Sequence, residues 1–301
     1  MSQDRSAGRR FRGAFTAIIT PFSAGGAAID FARLGAQIEA QARGGVAGVV
    51  ISGTTGESPT LTGAEYHQLL EAGVARARAA GILAVAGTGS NSTAHAVEQH
   101  RLAASLGAHG SLSVNPYYNK PTQEGLYRHF MAVADAADLP VMLYNIPGRT
   151  GVALLPATIE RLARHRNIRA VKEATGSTDS CDQIIERCPD LDVLSGDDGM
   201  TLCFAALGAV GVVSVASNIV PDKVAALCAA FLGARWEEAR GVHRELAGLC
   251  RALFVETNPI PVKAALRLLG RDSGELRLPM TEATPETVAA LRRPLAKLGL
   301  L

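Results

Sequence analysis

Eight short apolar runs, each followed by a segment of helical periodicity, constrain this chain more than anything else in it. They lie at residues 14–20, 47–51, 82–86, 110–114, 140–144, a sixth that ends at Lys172, then 191–194 and 211–215. A strand with one wet face alternates apolar and polar residues. A parallel strand covered on both faces reads as a continuous apolar run, and these do. Eight such strands interleaved with helices predict an α/β fold of the (β/α)8 TIM-barrel type.

The intervening segments carry their own start and stop signals. Asp30 caps a helix whose apolar face includes Leu34 and Ile38, and Gly44-Gly45 ends it. Thr62 and Glu65 have capping-box spacing. Helices are predicted at 93–106, at 122–136 with Leu126, Phe130 and Val133 on one face, from Pro156 onward, and at 181–187 and 199–207. After the eighth run only helices are predicted, at 221–231, 236–253, 261–269 and 285–298. A barrel needs one more outer helix, so the others form a C-terminal helical region. The expected division is an N-terminal tail 1–13, a barrel 14–233 and the helical region 234–301, with no low-complexity linker.

Composition narrows the function classes. Of 301 residues, 48% are hydrophobic and 19% charged, enough for a large core and against disorder. The 30 basic and 28 acidic residues nearly balance, no basic run occurs, and aromatics are only 5%, so nucleic acid is not the expected partner. The five cysteines, at 181, 188, 203, 228 and 250, show no C-x-x-C spacing and read as buried thiols in a reducing compartment. Arg9-Arg10-Phe11 faintly resembles a twin-arginine signal, but the apolar run after it stops at Pro21 and reads as the first strand. No run reaches the length of a membrane-spanning helix, so no membrane association and a cytoplasmic location are expected.

In barrels of this type the chemistry sits at the C-terminal ends of the strands. There the sequence places Gly53-Thr54-Thr55-Gly56-Glu57, Asn115-Pro116-Tyr117-Tyr118, Tyr144-Asn145-Ile146-Pro147-Gly148-Arg149-Thr150, Lys172, and Gly196-Asp197-Asp198. A lysine at the end of an apolar strand is costly to bury as an ammonium, and desolvation frees its amine to attack a carbonyl carbon. Two glycines around two hydroxyl residues suit a small anion. Each residue also has a plainer reading. Lys172 pairs with Glu173, the threonines cap a turn, Tyr117 and Tyr118 are surface aromatics, Tyr144 is core, and Arg149 is a solvated charge. What favours chemistry is their shared address.

Other chemistries fit less well. The seven histidines fall in helices or just before strands, and Asp197-Asp198, the only carboxylate cluster at a strand end, serves equally well as a helix cap, so no metal site is expected. Gly87-Thr88-Gly89-Ser90-Asn91-Ser92 matches a dinucleotide fingerprint only at its first two glycines. A non-catalytic barrel that senses a keto acid remains the alternative of a different class. It would have no need of the full lysine, tyrosine and threonine set.

Together with Asn258-Pro-Ile-Pro-Val-Lys263 and Ser195-Gly196-Asp197-Asp198, these motifs resemble the dihydrodipicolinate synthase / N-acetylneuraminate lyase family over essentially the whole chain. The resemblance is strongest to the branch that condenses pyruvate with L-aspartate 4-semialdehyde, giving 4-hydroxy-tetrahydrodipicolinate for lysine and diaminopimelate biosynthesis. It implies that Lys172 forms a Schiff base with pyruvate and that Tyr144 donates and accepts protons. Thr54 would link Tyr144 to a Tyr118 entering from a partner subunit. Thr55 would hold the pyruvate carboxylate, Val213 would add a backbone contact, Gly196 would line the pocket, and Arg149 would bind the semialdehyde carboxylate. N-acetylneuraminate lyases lack an arginine at the position of Arg149, and sugar-acid aldolases differ there too, which favours the semialdehyde; a related Schiff-base 2-keto acid aldolase of the same family is the alternative. No metal or external cofactor is implied, and a homotetramer built as a dimer of dimers is.

The resemblance also implies a regulatory difference. At the positions where lysine-inhibited bacterial members bind the effector, Asn91 and Tyr117 match. Gly63 and Tyr66 replace histidines, and His95 replaces a glutamate. The expectation is weak or absent feedback inhibition by lysine.

Overall fold

A computed structural model describes residues 11–301; the polar stretch 1–10, with Arg9 and Arg10, lies outside the described residues. Eight parallel strands follow one another around a closed barrel. They are β1 (Gly13–Ala17), β2 (Gly48–Ile51), β3 (Leu83–Gly87), β4 (Gly110–Val114), β5 (Val141–Asn145), β6 (Ile168–Glu173), β7 (Asp192–Ser195) and β8 (Gly211–Ser214). The expected (β/α)8 architecture is therefore present. By contact the described residues fall into two compact units, one of Ala14–Gly87 with Ser214–Leu301, the other of Thr88–Val213 with residues 11–13.

The first unit carries β1 to β3 and the helices α1 (Phe31–Arg43) and α2 (Gly63–Ala79). Asp30 caps α1 by accepting from the Arg33 amide, and Thr62 and Glu65 form the full capping box on α2, as the spacing predicts.

The second unit carries β4 to β8 with α3 (Thr93–Ser105), α4 (Gln123–Asp135), α5 (Pro147–Thr150), α6 (Pro156–Leu162), α7 (Thr178–Arg187) and α8 (Thr201–Leu207). Leu126, Phe130 and Val133 of α4 share one buried core with Val141 and Leu143 of β5, Val171 of β6 and Val193 of β7. Side chains alternate along a strand. Val171 thus faces the helices, and Lys172, next to it, faces the other way.

The remaining helices, α9 (Pro221–Leu232), α10 (Trp236–Ala252), α11 (Ile260–Leu268) and α12 (Pro285–Lys297), belong to the first unit.

Three local differences from the sequence reading have physical causes. Helix α7 starts at Thr178 rather than 181, because the Ser177 hydroxyl accepts from the Ser180 amide and caps it. The four-residue α5 follows β5 where no helix is predicted; Pro147 at its first turn is preset for helix. The expectation that all five cysteines are buried fails at Cys203. The buried residues of α8 are Thr201, Phe204 and Ala205, and Cys203 lies on its outer face.

Candidate active site

Strands β5 and β6 bring the central pair together. Their register sets Tyr144 beside Lys172, with Leu194 of β7 on the far side of the lysine. Lys172 is 6% exposed, and its Nζ lies 4.2 Å from the centre of the Tyr144 ring. Burial lowers the Lys172 ammonium to about 7; the carboxylate of Asp198 pulls it up, and the Arg149 guanidinium pushes it down further. Burial likewise raises the Tyr144 phenol to about 12, against a lowering pull from Arg149. At neutral pH a large share of the lysine is free amine, while the tyrosine keeps its proton. A buried free amine can attack a carbonyl carbon, and a protonated phenol beside it can donate to an oxygen.

Gly196 follows β7 with its amide donating to the Glu173 carbonyl at 2.7 Å. A Cβ at this position would sit 2.6 Å from the Ala174 Cβ and 3.1 Å from Cε and Cγ of Lys172. A side chain there would collide with Ala174 and crowd the stem of Lys172, so glycine is required by close approach rather than by its dihedral angles.

The opposite face of the two strands is tied down by amides. Asn145 donates to Glu173 and to the Leu154 carbonyl, each at 3.0 Å, and its oxygen accepts from the Leu154 amide and from Asn115. Glu173 is fully buried, which pushes its carboxyl up, and it also accepts from the Thr175 amide. The plainer reading of Lys172, an ion pair with Glu173, does not hold. The carboxylate is engaged by Asn145 and Thr175 on the far side of the strand. The Thr150 hydroxyl shares its one proton between the carbonyls of Val152 at 2.8 Å and Ile146 at 3.1 Å and so holds the segment that presents Arg149.

The other residues expected at the site are distributed as follows. Arg149 is exposed on α5, within electrostatic reach of both Lys172 and Tyr144. Val213 is buried on β8. Tyr118 is 90% exposed and holds a left-handed backbone, φ +72°. In the other unit, Thr54 and Thr55 follow β2. Thr54 is half-buried; Thr55 is buried and its hydroxyl accepts from the Asn258 side-chain amide at 2.9 Å.

Four polar residues have no functional role in the sequence reading: Asp198, Asn145, Glu173 and Asn258. Asp197 is the helix cap, accepting from the Gly199 amide, and this leaves its neighbour Asp198 to act on Lys172. The other three are visible in sequence only as parts of motifs, because nothing in spacing tells a polar side chain that orients a neighbour from one that faces water. Among the described residues no three His, Cys, Asp or Glu side chains gather as metal ligands, and no helix is long and apolar enough to cross a membrane.

Comparison with known proteins finds relatives along nearly the whole chain. The chain is 51% identical over 271 residues to the 4-hydroxy-tetrahydrodipicolinate synthase of Geotalea daltonii, covering 90% of this chain and 92% of that one. Its fold matches the crystal structure of dihydrodipicolinate synthase from Aquifex aeolicus with a TM-score of 0.93 and 46% identity, over 96% of this chain and 99% of the other. It matches the enzyme from Cyanidioschyzon merolae, solved with lysine bound, with a TM-score of 0.95 and 42% identity, over 97% and 100% of the two chains. The dihydrodipicolinate synthetase family model matches residues 10–298, and the chain belongs to that family.

Proposed function

We propose that this chain condenses pyruvate with L-aspartate 4-semialdehyde to give 4-hydroxy-tetrahydrodipicolinate, a step of lysine and diaminopimelate biosynthesis. One observation carries the reading: a buried lysine at the end of β6, its amine lowered to about 7, stacked on a tyrosine that keeps its proton.

In the proposed reaction the Lys172 lone pair attacks the keto carbon of pyruvate. Tyr144 donates a proton to the carbinolamine oxygen, water leaves, and an imine forms. The protonated imine withdraws electrons, so the methyl group gives a proton back to the Tyr144 phenolate and an enamine results. The enamine carbon attacks the aldehyde of the second substrate. That substrate's own amine then adds to the imine carbon as the ring closes and expels Lys172 as free amine. Thr55 holds the pyruvate carboxylate, with a backbone contact from Val213, and Gly196 keeps the space beside the lysine clear. Arg149 takes the semialdehyde carboxylate, for which a planar two-pronged donor is suited.

Thr54 and Tyr118 complete a proton relay, with Tyr118 offered to a second copy of the chain in a homotetramer made of two dimers. Its 90% exposure and left-handed backbone support this, since a large aromatic held so far into solvent makes little contact within its own chain. The proposed location is the cytoplasm.

The test is intact-mass spectrometry after incubation with pyruvate and borohydride, followed by turnover with aspartate semialdehyde. A reduced pyruvate adduct on Lys172, absent in Lys172→Ala, is expected. A folded wild-type protein that takes no adduct would overturn the reading.

A further inference from the structure

We propose that Asn258 is a positioning residue that sets which way the Thr55 hydroxyl points, and that the buried Glu57–Lys263 pair fixes the turn carrying both threonines. This rests on the reading in which Thr55 holds the pyruvate carboxylate.

A threonine hydroxyl has one proton to give and two lone pairs to receive with. The side-chain NH2 of Asn258 can only donate, and at 2.9 Å it occupies a lone pair of Thr55 Oγ1. The hydroxyl proton is thereby directed away from Asn258. Thr55 is 3% exposed and Asn258 6%, so water competes little for either group. The result is a hydroxyl primed to donate to an anion. An amide suits this role because it orients the hydroxyl without adding negative charge beside the place where a carboxylate is to bind. An aspartate at 258 would do the reverse. It would accept the hydroxyl proton itself and set one anion against another.

The turn behind Thr55 is held just as firmly. Glu57 adopts φ +54°, a conformation that is strained for a residue with a side chain. Its carboxylate accepts from Lys263 Nζ at 2.5 Å and from the Arg277 amide at 3.0 Å. Lys263 also donates to the Glu275 carbonyl at 2.8 Å and stands 4.3 Å from the Phe22 ring centre. On the other side, the Thr20 hydroxyl donates to the Gly56 carbonyl at 2.7 Å. Asn258 and Lys263 lie on one short stretch leading into and along α11. A single segment of the C-terminal region therefore grips the turn at Glu57 and orients the hydroxyl at Thr55.

The experiment compares Asn258→Asp, Asn258→Ala, Thr55→Val and the double variant Thr55→Val/Asn258→Ala with wild type. Three quantities are read: the pyruvate concentration that half-saturates borohydride trapping on Lys172, KM for aspartate semialdehyde, and the pH dependence of the pyruvate value. Asn258→Asp is expected to raise half-saturating pyruvate by about tenfold or more, the scale of one hydrogen bond to a charged group. It should also make that value worsen with rising pH as the new carboxylate ionises, while KM for the semialdehyde stays within about twofold. The double variant should lose no more pyruvate affinity than Thr55→Val alone, because Asn258 acts through that hydroxyl.

Pyruvate half-saturation within about twofold of wild type in both Asn258 variants would overturn the inference. So would fully additive losses, or an equal fall for both substrates. Should circular dichroism show that Asn258→Asp does not fold, Asn258→Ala and Asn258→Ser carry the same comparison. A wild-type protein that forms no adduct would sink the functional reading and this inference with it. Normal trapping in wild type with unchanged Asn258 variants would sink this inference alone.

Discussion

Lys172 Nζ stands 4.2 Å above the centre of the Tyr144 ring because β5 and β6 pair those two residues in register. Two opposing effects meet at that contact. The negative face of the ring favours an ammonium by about 0.5–2 kcal/mol. Loss of water disfavours it by more, since burial is the largest cause of the lysine's fall to about 7. Burial wins, and the contact with the ring orients the amine without keeping it charged.

The first consequence is a pH profile. The rate of pyruvate trapping on Lys172 is expected to rise with pH and level off, with a midpoint near the lowered lysine value of about 7. Asp198 pulls that value up and Arg149 pushes it down. Asp198→Asn should therefore move the midpoint to lower pH, and Arg149→Met to higher pH. Because Arg149 is exposed, solvent screens its effect, and the Arg149→Met shift should be small. Stopped-flow trapping across the pH range checks all three. A wild-type midpoint near the ordinary lysine value of 10.5 would rule out the desolvation account.

The same burial costs stability. An unfolded lysine titrates at 10.5 and the folded one at about 7, so between those values the unfolded chain binds more protons. Stability then rises with pH across that window, and below its lower edge the full penalty applies. Lys172→Met, similar in volume and uncharged, is expected to be more stable than wild type at pH 6 by on the order of 1–3 kcal/mol, the gap narrowing toward pH 10. Thermal denaturation of the pair at several pH values measures this. A gap that is absent at low pH, or that widens as pH rises, would contradict it.

How much of the fold and the site is legible in the amino-acid sequence follows from what each signal depends on. The eight strands are legible because a strand covered on both faces must be apolar throughout. The capping box at Thr62 and Glu65 is legible because it is local. Lys172 stands out because a charged residue ends an apolar run. What stays hidden depends on contacts between distant positions. Asn258 meets Thr55 across a sequence separation of 203, and no spacing rule reaches that far. In sequence Asp198 reads with Asp197 as a helix cap, and only the folded turn shows that one caps while the other acts on the lysine. Cys203 escapes the expectation of burial because composition reports how buried cysteines usually are, not which face of α8 a given one occupies.

The Glu57–Lys263 pair should be costly to break from one side only. Both side chains are almost wholly buried, and burial pulls the Lys263 ammonium down against the carboxylate that holds it up. Lys263→Met leaves Glu57 buried without its cation, and a loss of about 3–5 kcal/mol is expected. Glu57→Gln/Lys263→Met removes both charges and should recover part of that loss. Urea denaturation of the two variants decides the point. A single variant within about 1 kcal/mol of wild type would mean that water reaches the pair.

The positions tied by resemblance to lysine regulation give the last expectation. Tyr66 is buried, and its hydroxyl donates to the Gly87 carbonyl at 2.8 Å, so its one proton is committed within the fold. Burial also raises its phenol, so it offers no negative charge. His95 bonds through its ring to Gln99 at 2.7 Å and lies 3.6 Å from Glu98. Neither residue supplies the carboxylate that an effector ammonium requires in place of water. Lysine at about 1 mM, a concentration that half-fills a site binding with about −4 kcal/mol, should leave turnover nearly unchanged. His95→Glu should restore measurable inhibition, because it returns a carboxylate to that position. Steady-state assays over a lysine series give the answer. Strong inhibition of the wild-type protein below that concentration would show that another group answers the ammonium and that the loss of the glutamate has been compensated elsewhere in the chain.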